Sequence, residues 1–323
     1  MPHYNVHFTP EEFKTATAMK FGLPIPALQP FVGDRIRNNA NCPQLTADGY
    51  GNNISTIAGA CGGHIQRNHN SICAMISNSA TQAGIKCLGG ATDTSAKRVF
   101  SSDIPANIPI NATNSAKVNS IVPDLVLNAT YSAEGELAGS QHIVDVKTLA
   151  AGLAYKRNTT VFADAVARRS TEVNTGYHNT AKQLDQRLHG TPVGTPGPFE
   201  QVLSEYGGPN NTVLGPVVGF FGEASEHMHQ IRDLIATTQA KSHLELYRST
   251  NAQAIGLHKQ QLNRLWGHTF ARGWARLILD RLRDLVCPEP RDYHRRQGAP
   301  NPDQNEEFLY YHPNVRGGAF GGI

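Results

Sequence analysis

Two aspartates and a lysine near the middle of the chain have residue types and spacing suited to metal-dependent chemistry on phosphate esters. Asp124 follows Pro123, and Asp145 lies two residues before Lys147. Carboxylate oxygens bind hard cations such as Mg²⁺ or Mn²⁺. A nearby ammonium group can orient a water molecule or stabilise charge that develops on a phosphate. We therefore predict that Asp124, Asp145 and Lys147 are catalytic, with both aspartates as metal ligands.

Each aspartate lies in a short apolar run that predicts a strand. Residues 120–127 and 142–149 are rich in β-branched and apolar side chains, and their length suits strands. The segment 128–141 between them contains Asn, Ser and Gly, which are typical of loops. If the two strands are neighbours in a sheet, the aspartates and the lysine meet at one end of it.

Alternation along the second run supports this placement. Successive strand residues point to opposite faces, so Ile143, Asp145 and Lys147 share one face and Val144 and Val146 share the other. A structural explanation stays open beside the catalytic one. In that explanation the first aspartate ends a turn, and the second forms an ion pair with the lysine on an edge strand.

The composition is that of a folded, reduced protein with a mildly basic charge. The 323 residues carry 29 Lys and Arg against 26 Asp and Glu, a net charge of +3 that does not by itself indicate nucleic acid. Five cysteines at irregular spacings argue against a disulfide framework. We see no secretory signal and no run of about 18 apolar residues that would span a membrane. We therefore expect an intracellular, nuclear protein with no membrane partner.

Basic residues in three parts of the chain are candidate contacts to DNA phosphates. Arg67 and His69 lie on a predicted helix, where the histidine could face the scissile phosphate. The other candidates are Arg168, Arg169, Arg264 and Arg272. Such contacts provide affinity that is independent of sequence and sensitive to salt. Solvated helix charges and a surface histidine are the alternatives, and the interleaved Trp266 and Trp274 have the spacing of core residues.

Cys42, Cys61, His64 and His69 are the candidate ligands of a second metal. Zinc sites use close, regular pairs of ligands, whereas these two cysteines are separated by a loop with no partner nearby. Two unliganded thiols are the preferred interpretation, so Mg²⁺ or Mn²⁺ is the expected cofactor and Zn²⁺ is the weaker candidate.

The wider pattern predicts an α/β fold with a restriction-endonuclease-like core, which is a mixed sheet flanked by helices, and a helical C-terminal region. Thr9 caps a first helix that ends before Gly22. Further helices are predicted at residues 64–83, 159–188, 225–239, 241–258 and 262–286, with strands within 85–100 and 213–221 in addition to the two above. The order helix, three strands, helix, strand, helix is that of such a core.

Pro123-Asp124 followed by Asp145-x-Lys147 resembles the signature of PD-(D/E)XK nucleases. The preceding block, which runs from Cys42 to an Arg-Asn-His-Asn string at residues 67–70, resembles the zinc knuckle and Arg-His-Asn helix found before such a nuclease in non-LTR retroelement proteins. Residues 163–177 and 215–223 look like the helix after the lysine and the final strand of that family. The resemblance covers about residues 42–240. It implies Mg²⁺-dependent cleavage of DNA, with RNA or a reverse transcriptase as further candidate partners.

These observations divide the chain into four predicted regions. They are an N-terminal helix and irregular segment with a degenerate zinc knuckle (1–63), the nuclease core (64–240), a basic helical region (241–296) and a flexible tail (297–323). The predicted function is a metal-dependent DNA endonuclease. The alternative is an inactive nuclease-fold protein that binds nucleic acid or supports assembly, since residues 85–90 contain no glutamate to act as a third metal ligand. A structural protein with a buried ion pair is the third and weakest interpretation.

Overall fold

The computed structural model describes residues 7–36, 45–57, 63–90, 123–130, 137–150, 159–206, 213–247 and 250–286. The helices are α1 (Pro10–Lys20), α2 (Asn52–Thr56), α3 (His64–Gln82), α4 (Thr159–Leu184), α5 (Pro198–Glu205), α6 (Glu226–Tyr247) and α7 (Asn251–Arg281). The strands are β1 (Lys86–Gly89), β2 (Leu125–Asn128), β3 (Gln141–Val144), β4 (Lys147–Leu149) and β5 (Val217–Gly219). Short stretches of other helix types cover Pro26–Phe31, Asp185–His189 and Leu282–Val286. The predicted tail and both knuckle cysteines lie outside the described residues.

Local backbone features explain where α1 begins and where α3 ends. The Thr9 side chain accepts from the backbone of Glu12, whose own side chain accepts from the Thr9 backbone, so α1 begins with a complete capping box. The helix α3 stops at Gln82, and Gly84 follows with a φ of +82° that a side chain would disfavour. Both predicted helices are confirmed.

The strands form a three-stranded antiparallel sheet and a two-stranded parallel sheet, and an isolated bridge between Val144 and Leu214 joins the two. Strands β1, β2 and β3 are antiparallel neighbours in that order, and β4 pairs in parallel with β5. The prediction of one continuous strand over 142–149 was wrong, because Asp145 and Val146 lie between β3 and β4. Backbone bonds from Asp145 N to Leu214 O (2.9 Å) and from Lys147 N to Pro216 O (2.9 Å) show that one segment, 214–217, runs beside both strands. The fold is therefore mixed α/β, as predicted.

Helices cover both faces of this sheet. On one face Val144 and Val146 pack with α3, α6 and α7, whereas on the other Ile143 packs with α4 and α5. The alternation predicted along residues 143–146 is thus confirmed, and Asp145 shares the α4 side with Ile143.

Two glycines allow helices to approach the site closely. A Cβ added to Gly273 of α7 would collide with Asn68 Oδ1 of α3, so α7 carries a glycine where it packs closely against α3. A Cβ added to Gly215 would lie 2.7 Å from the Val173 Cβ of α4. The close contacts hold α3 and α4 against the centre of the fold.

The C-terminal helices differ from their predicted boundaries. Instead of breaks near residues 240 and 260, α6 continues to Tyr247 and α7 begins at Asn251. The Thr250 side chain accepts from the backbone of Gln253, whose side chain accepts from the Thr250 backbone, and this capping box starts α7. Trp266 and Trp274 are buried, as predicted, and the Trp266 indole donates to Ser79 Oγ at 3.2 Å.

Candidate active site

The strand pairing brings the two aspartates together at one end of the sheet. Leu125 of β2 lies opposite Val144 of β3, so the residues just before β2 and just after β3 are neighbours. The Asp124 backbone N–H donates to Val144 O at 3.1 Å, and Asp124 Oδ2 accepts from Val146 N–H at 2.8 Å. The side chain of the first aspartate thus binds the backbone immediately after Asp145.

Asp145 and Lys147 form a close ion pair at the break between β3 and β4. Lys147 Nζ contacts Asp145 Oδ2, and the side chains are 33% and 10% exposed, respectively. Burial raises the pKa of Asp145, Lys147 acts in the opposite direction, and the charge of Asp124 adds to the increase. Burial is the largest of these effects, so the charge on Asp145 remains unfavourable although Lys147 affects its pKa more strongly than Asp124 does.

His69 completes the polar cluster from the side of α3. Its Nε2 lies 3.0 Å from Asp124 Oδ2 and 3.1 Å from Val146 O, which suits a ring N–H donating to both oxygens. Burial opposes the charged ring, but the hydrogen bonds to Asp124 and Cys73 and the charges of both groups outweigh it and raise the pKa of His69 to about 11. The histidine predicted to face a phosphate is therefore bound to the first aspartate.

Two neighbours of the site, Cys73 and Tyr177, were not among the predicted site residues. The Cys73 thiol lies 3.7 Å from His69 Nδ1 and 3.8 Å from Nε2, one helical turn further along α3. The Tyr177 phenol comes from α4 and is buried, and burial together with the charges of Asp145 and Asp124 raises its pKa well above the usual value. Spacing of four residues from His69 could have identified the cysteine, whereas the tyrosine depends on how α4 packs.

The predicted DNA contacts outside the cluster lie in differing environments. Arg168 and Arg169 are exposed on α4, and both pair with Glu172 at 3.7 and 3.1 Å. Arg67 is exposed and lies 3.4 Å from Asp280, and Arg264 is exposed on α7. These side chains can reach a ligand from solvent.

Arg272 of α7 binds a carboxylate of α1. Its Nε donates to Glu12 Oε2 at 3.1 Å, and Arg276 binds the other oxygen of the same buried carboxylate. Burial acts against ionisation of Glu12, but the Thr9 N–H and the two arginines outweigh it, so the pKa of Glu12 is lowered. Arg272 thus attaches α7 to α1. The sequence predicted a contact to DNA phosphates for this residue and did not predict the contact to α1.

The four-residue zinc set is not supported at its histidines. His64 Nε2 lies 2.9 Å from Asp284, whereas His69 binds Asp124, so the two rings contact different carboxylates. Cys42 and Cys61 lie outside the described residues.

Comparisons of the chain with protein-family models, with curated proteins and with solved structures found no match. Among the described helices, none combines the length and apolar character needed to cross a membrane. Any functional assignment therefore depends on the geometry of this cluster.

Proposed function

We propose that the protein is a metal-dependent DNA endonuclease with a restriction-endonuclease-like core related to that of non-LTR retroelement proteins. The observation that carries the proposal is the meeting of Asp124, Asp145 and Lys147 at one end of the sheet. The order α3, three antiparallel strands, β4, α4, α5, β5 and α6 supports it, because it contains the elements expected of that core in the expected succession, with β4 and α5 in addition. A nuclear location would follow from a DNA substrate.

The donor atoms fit a hard divalent cation. Within the described residues, hydrogen bonds to the Asp124 carboxylate use Oδ2, which leaves Oδ1 as a ligand. The raised pKa of Asp145 reflects burial and the charge of Asp124, both of which a cation between the carboxylates would counteract. When bound, Mg²⁺ or Mn²⁺ supplies Lewis acidity that activates water and stabilises charge on the phosphate.

Lys147 has the position of the group that acts on the substrate. Its Nζ is partly exposed and is held by Asp145, so the ammonium can donate to a phosphate oxygen or to the attacking water. Hydrolysis forms a new bond from the water oxygen to phosphorus and breaks one P–O bond, and the departing oxygen takes up a proton. Asp145 fixes the lysine beside the reacting atoms, and His69 fixes Asp124.

The second candidate is an inactive relative that binds nucleic acid. Two observations favour it: β1 contains Lys86, Cys87, Leu88 and Gly89 and therefore no carboxylate, and His69 already binds the Asp124 carboxylate. In this case the fold would remain and the catalytic cation would not bind.

Cleavage of plasmid DNA with added Mg²⁺ tests the first candidate. We expect Asp145→Ala and Lys147→Ala each to lower the cleavage rate by at least about 100-fold, since a positioned charge or proton donor contributes about that much. The matched control is the surface pair Asp233 and Lys259, joined at 2.9 Å, whose alanine variants should cleave like the wild type. Undiminished cleavage in both active-site variants would overturn the proposal.

Calorimetric titration with Mg²⁺ separates the two candidates. The nuclease should bind Mg²⁺ in a manner that Asp124→Ala abolishes. An inactive relative should show no Mg²⁺ binding that depends on Asp124, but it should still bind DNA.

A further inference from the structure

A second set of metal-binding atoms overlaps the site. A ring nitrogen of His69, the Sγ of Cys73 and a carboxylate oxygen of Asp124 all lie within 4.8 Å of one another. Unlike the two aspartates, this set offers one nitrogen, one sulfur and one oxygen. Such a mixture is typical of zinc sites, whereas Mg²⁺ is bound through oxygen.

Two of the separations among these atoms are close to the edges of a tetrahedral zinc site. Bond lengths of about 2.0–2.1 Å to nitrogen or oxygen and about 2.3 Å to sulfur place a nitrogen about 3.6 Å from a sulfur and about 3.3 Å from an oxygen. In the structure, His69 Nε2 lies 3.8 Å from Cys73 Sγ and 3.0 Å from Asp124 Oδ2. Because Sγ also lies 3.7 Å from Nδ1, it is nearly equidistant from the two ring nitrogens, so the His69 ring must rotate for Nε2 and Sγ to bind one cation.

The supporting contacts hold the ligands in place. His69 and Cys73 are four residues apart on α3 and therefore share one face of the helix. The other ring nitrogen, Nδ1, lies 3.4 Å from Asn70 Oδ1, and that oxygen accepts from Gln66 Nε2 at 2.7 Å. An acceptor at Nδ1 favours Nε2 as the metal-binding nitrogen.

The exposure of the three ligands also fits an ion that keeps one coordination position open to solvent. The Cys73 thiol is buried, which protects it, whereas the side chains of His69 and Asp124 are 17% and 24% exposed. Three protein ligands with solvent on one side are typical of sites that keep a fourth position for water or a substrate.

We propose that His69, Cys73 and Asp124 form a binding site for a thiophilic divalent cation of the Zn²⁺ class, distinct from the two-aspartate Mg²⁺ site. Binding releases the protons of the thiol and of His69 Nε2. Because both sites use Asp124, Zn²⁺ and Mg²⁺ compete, and Zn²⁺ inhibits Mg²⁺-dependent cleavage. That last consequence rests on the proposed nuclease function, whereas the site itself does not.

Titration of the metal-free full-length chain with Co²⁺ tests the site, since Co²⁺ bound to a thiolate absorbs in the near ultraviolet. We expect the absorption in the wild type, its loss in Cys73→Ser, and binding at least about 10-fold weaker in His69→Gln. The matched control is the double variant Cys42→Ser/Cys61→Ser, which should keep the absorption. Far-ultraviolet circular dichroism checks that each variant folds. If the Cys73 variant does not fold, His69→Gln and Asp124→Asn carry the test because they leave the thiol in place.

Absence of the absorption in the wild type overturns the proposal, and so does its retention in Cys73→Ser or its loss in the double variant. Lys147→Ala distinguishes this site from the nuclease function, because that variant should lose cleavage and keep Co²⁺ absorption. A chain that binds Co²⁺ through Cys73 yet never cleaves DNA contradicts the nuclease alone. Cleavage without the absorption contradicts only the second metal site.

Discussion

Two clusters, Asp124–Asp145–Lys147 and Glu12–Arg272–Arg276, each place at least one basic side chain beside a buried carboxylate. The two clusters shift the pKa of that carboxylate in opposite directions. Glu12 is one buried carboxylate between two guanidinium groups, and its pKa is lowered. Asp145 is a buried carboxylate beside one lysine and a second aspartate, and its pKa is raised. A lowered pKa of a carboxyl group means that the folded protein stabilises its negative charge, whereas a raised pKa means that the folded protein destabilises that charge. Groups held at an energetic disadvantage are typical of functional sites.

The largest expected effect lies in the Glu12 cluster. Glu12→Gln leaves Arg272 and Arg276 without their carboxylate, and we expect the free energy of unfolding to fall by about 2–3 kcal/mol. That is below the roughly 3–5 kcal/mol of fully buried pairs, because Arg276 is half exposed. Chemical denaturation at pH 7 measures the loss. The neighbouring exposed Glu11 provides the control, since Glu11→Gln should change the stability by less than about 0.5 kcal/mol.

The lowered pKa of Glu12 predicts that the free energy of unfolding depends on pH. Because the pKa of folded Glu12 is lower than its ordinary value of 4.5, its charge stabilises the fold fully above that value. The stabilisation is lost as the pH falls through the lowered pKa. The difference in unfolding free energy between the wild type and Glu12→Gln should therefore stay constant from pH 7 to about pH 5 and shrink in more acidic solution. A difference that shrinks between pH 6 and 8 would instead implicate histidines.

In metal-free buffer, Asp145→Asn should not lower the free energy of unfolding as Glu12→Gln does. The cost of burying the Asp145 charge, together with the charge of Asp124, outweighs the ion pair with Lys147, so we expect stability to be unchanged or to rise by up to about 1 kcal/mol. Thermal unfolding in the presence of a chelator measures it, with the surface variant Asp233→Asn as control. A loss above about 2 kcal/mol would show that Asp145 serves mainly to hold the core together, and the contrast between the clusters would disappear.

The smallest effect on stability is expected at the exposed arginines of α4. Replacing Arg168 and Arg169 with alanine should change the unfolding free energy by less than about 0.5 kcal/mol, since both pair with Glu172 at the surface. If they contact phosphates, DNA affinity should fall, and the slope of log affinity against log salt should decrease by about 1 per arginine. Arg187→Ala, exposed just beyond α4, is the matched control. An unchanged slope in the double variant would exclude α4 from the DNA-binding surface.

Features set by neighbouring residues were predictable from the sequence. The capping box of Thr9 and Glu12 marks the start of α1, and the spacing of apolar residues marks α3. Alternation placed Ile143 and Asp145 on one face of the sheet. Each of these depends on hydrogen bonds or side-chain directions within a few residues.

Features that depend on distant residues were not predictable in the same way. The first helix of the chain binds Arg272 and Arg276 through Glu12, and nothing near either segment indicates its partner. The break at Asp145–Val146 was missed because the partner of the strand changes from β2 to β5 at that point. The start of α7 at Thr250 was missed although its capping box is local, since helical spacing continues across the predicted breaks.

The sequence by itself determined which side chains are available for chemistry and which face of a strand or helix carries them. Only the tertiary structure decided that His69 binds Asp124, that Cys73 and Tyr177 stand beside the aspartates, and that Arg272 serves the fold. The physical reason is distance along the chain. Local geometry follows from backbone and side-chain preferences, whereas the charge and burial around a group depend on segments that meet only when the whole core packs.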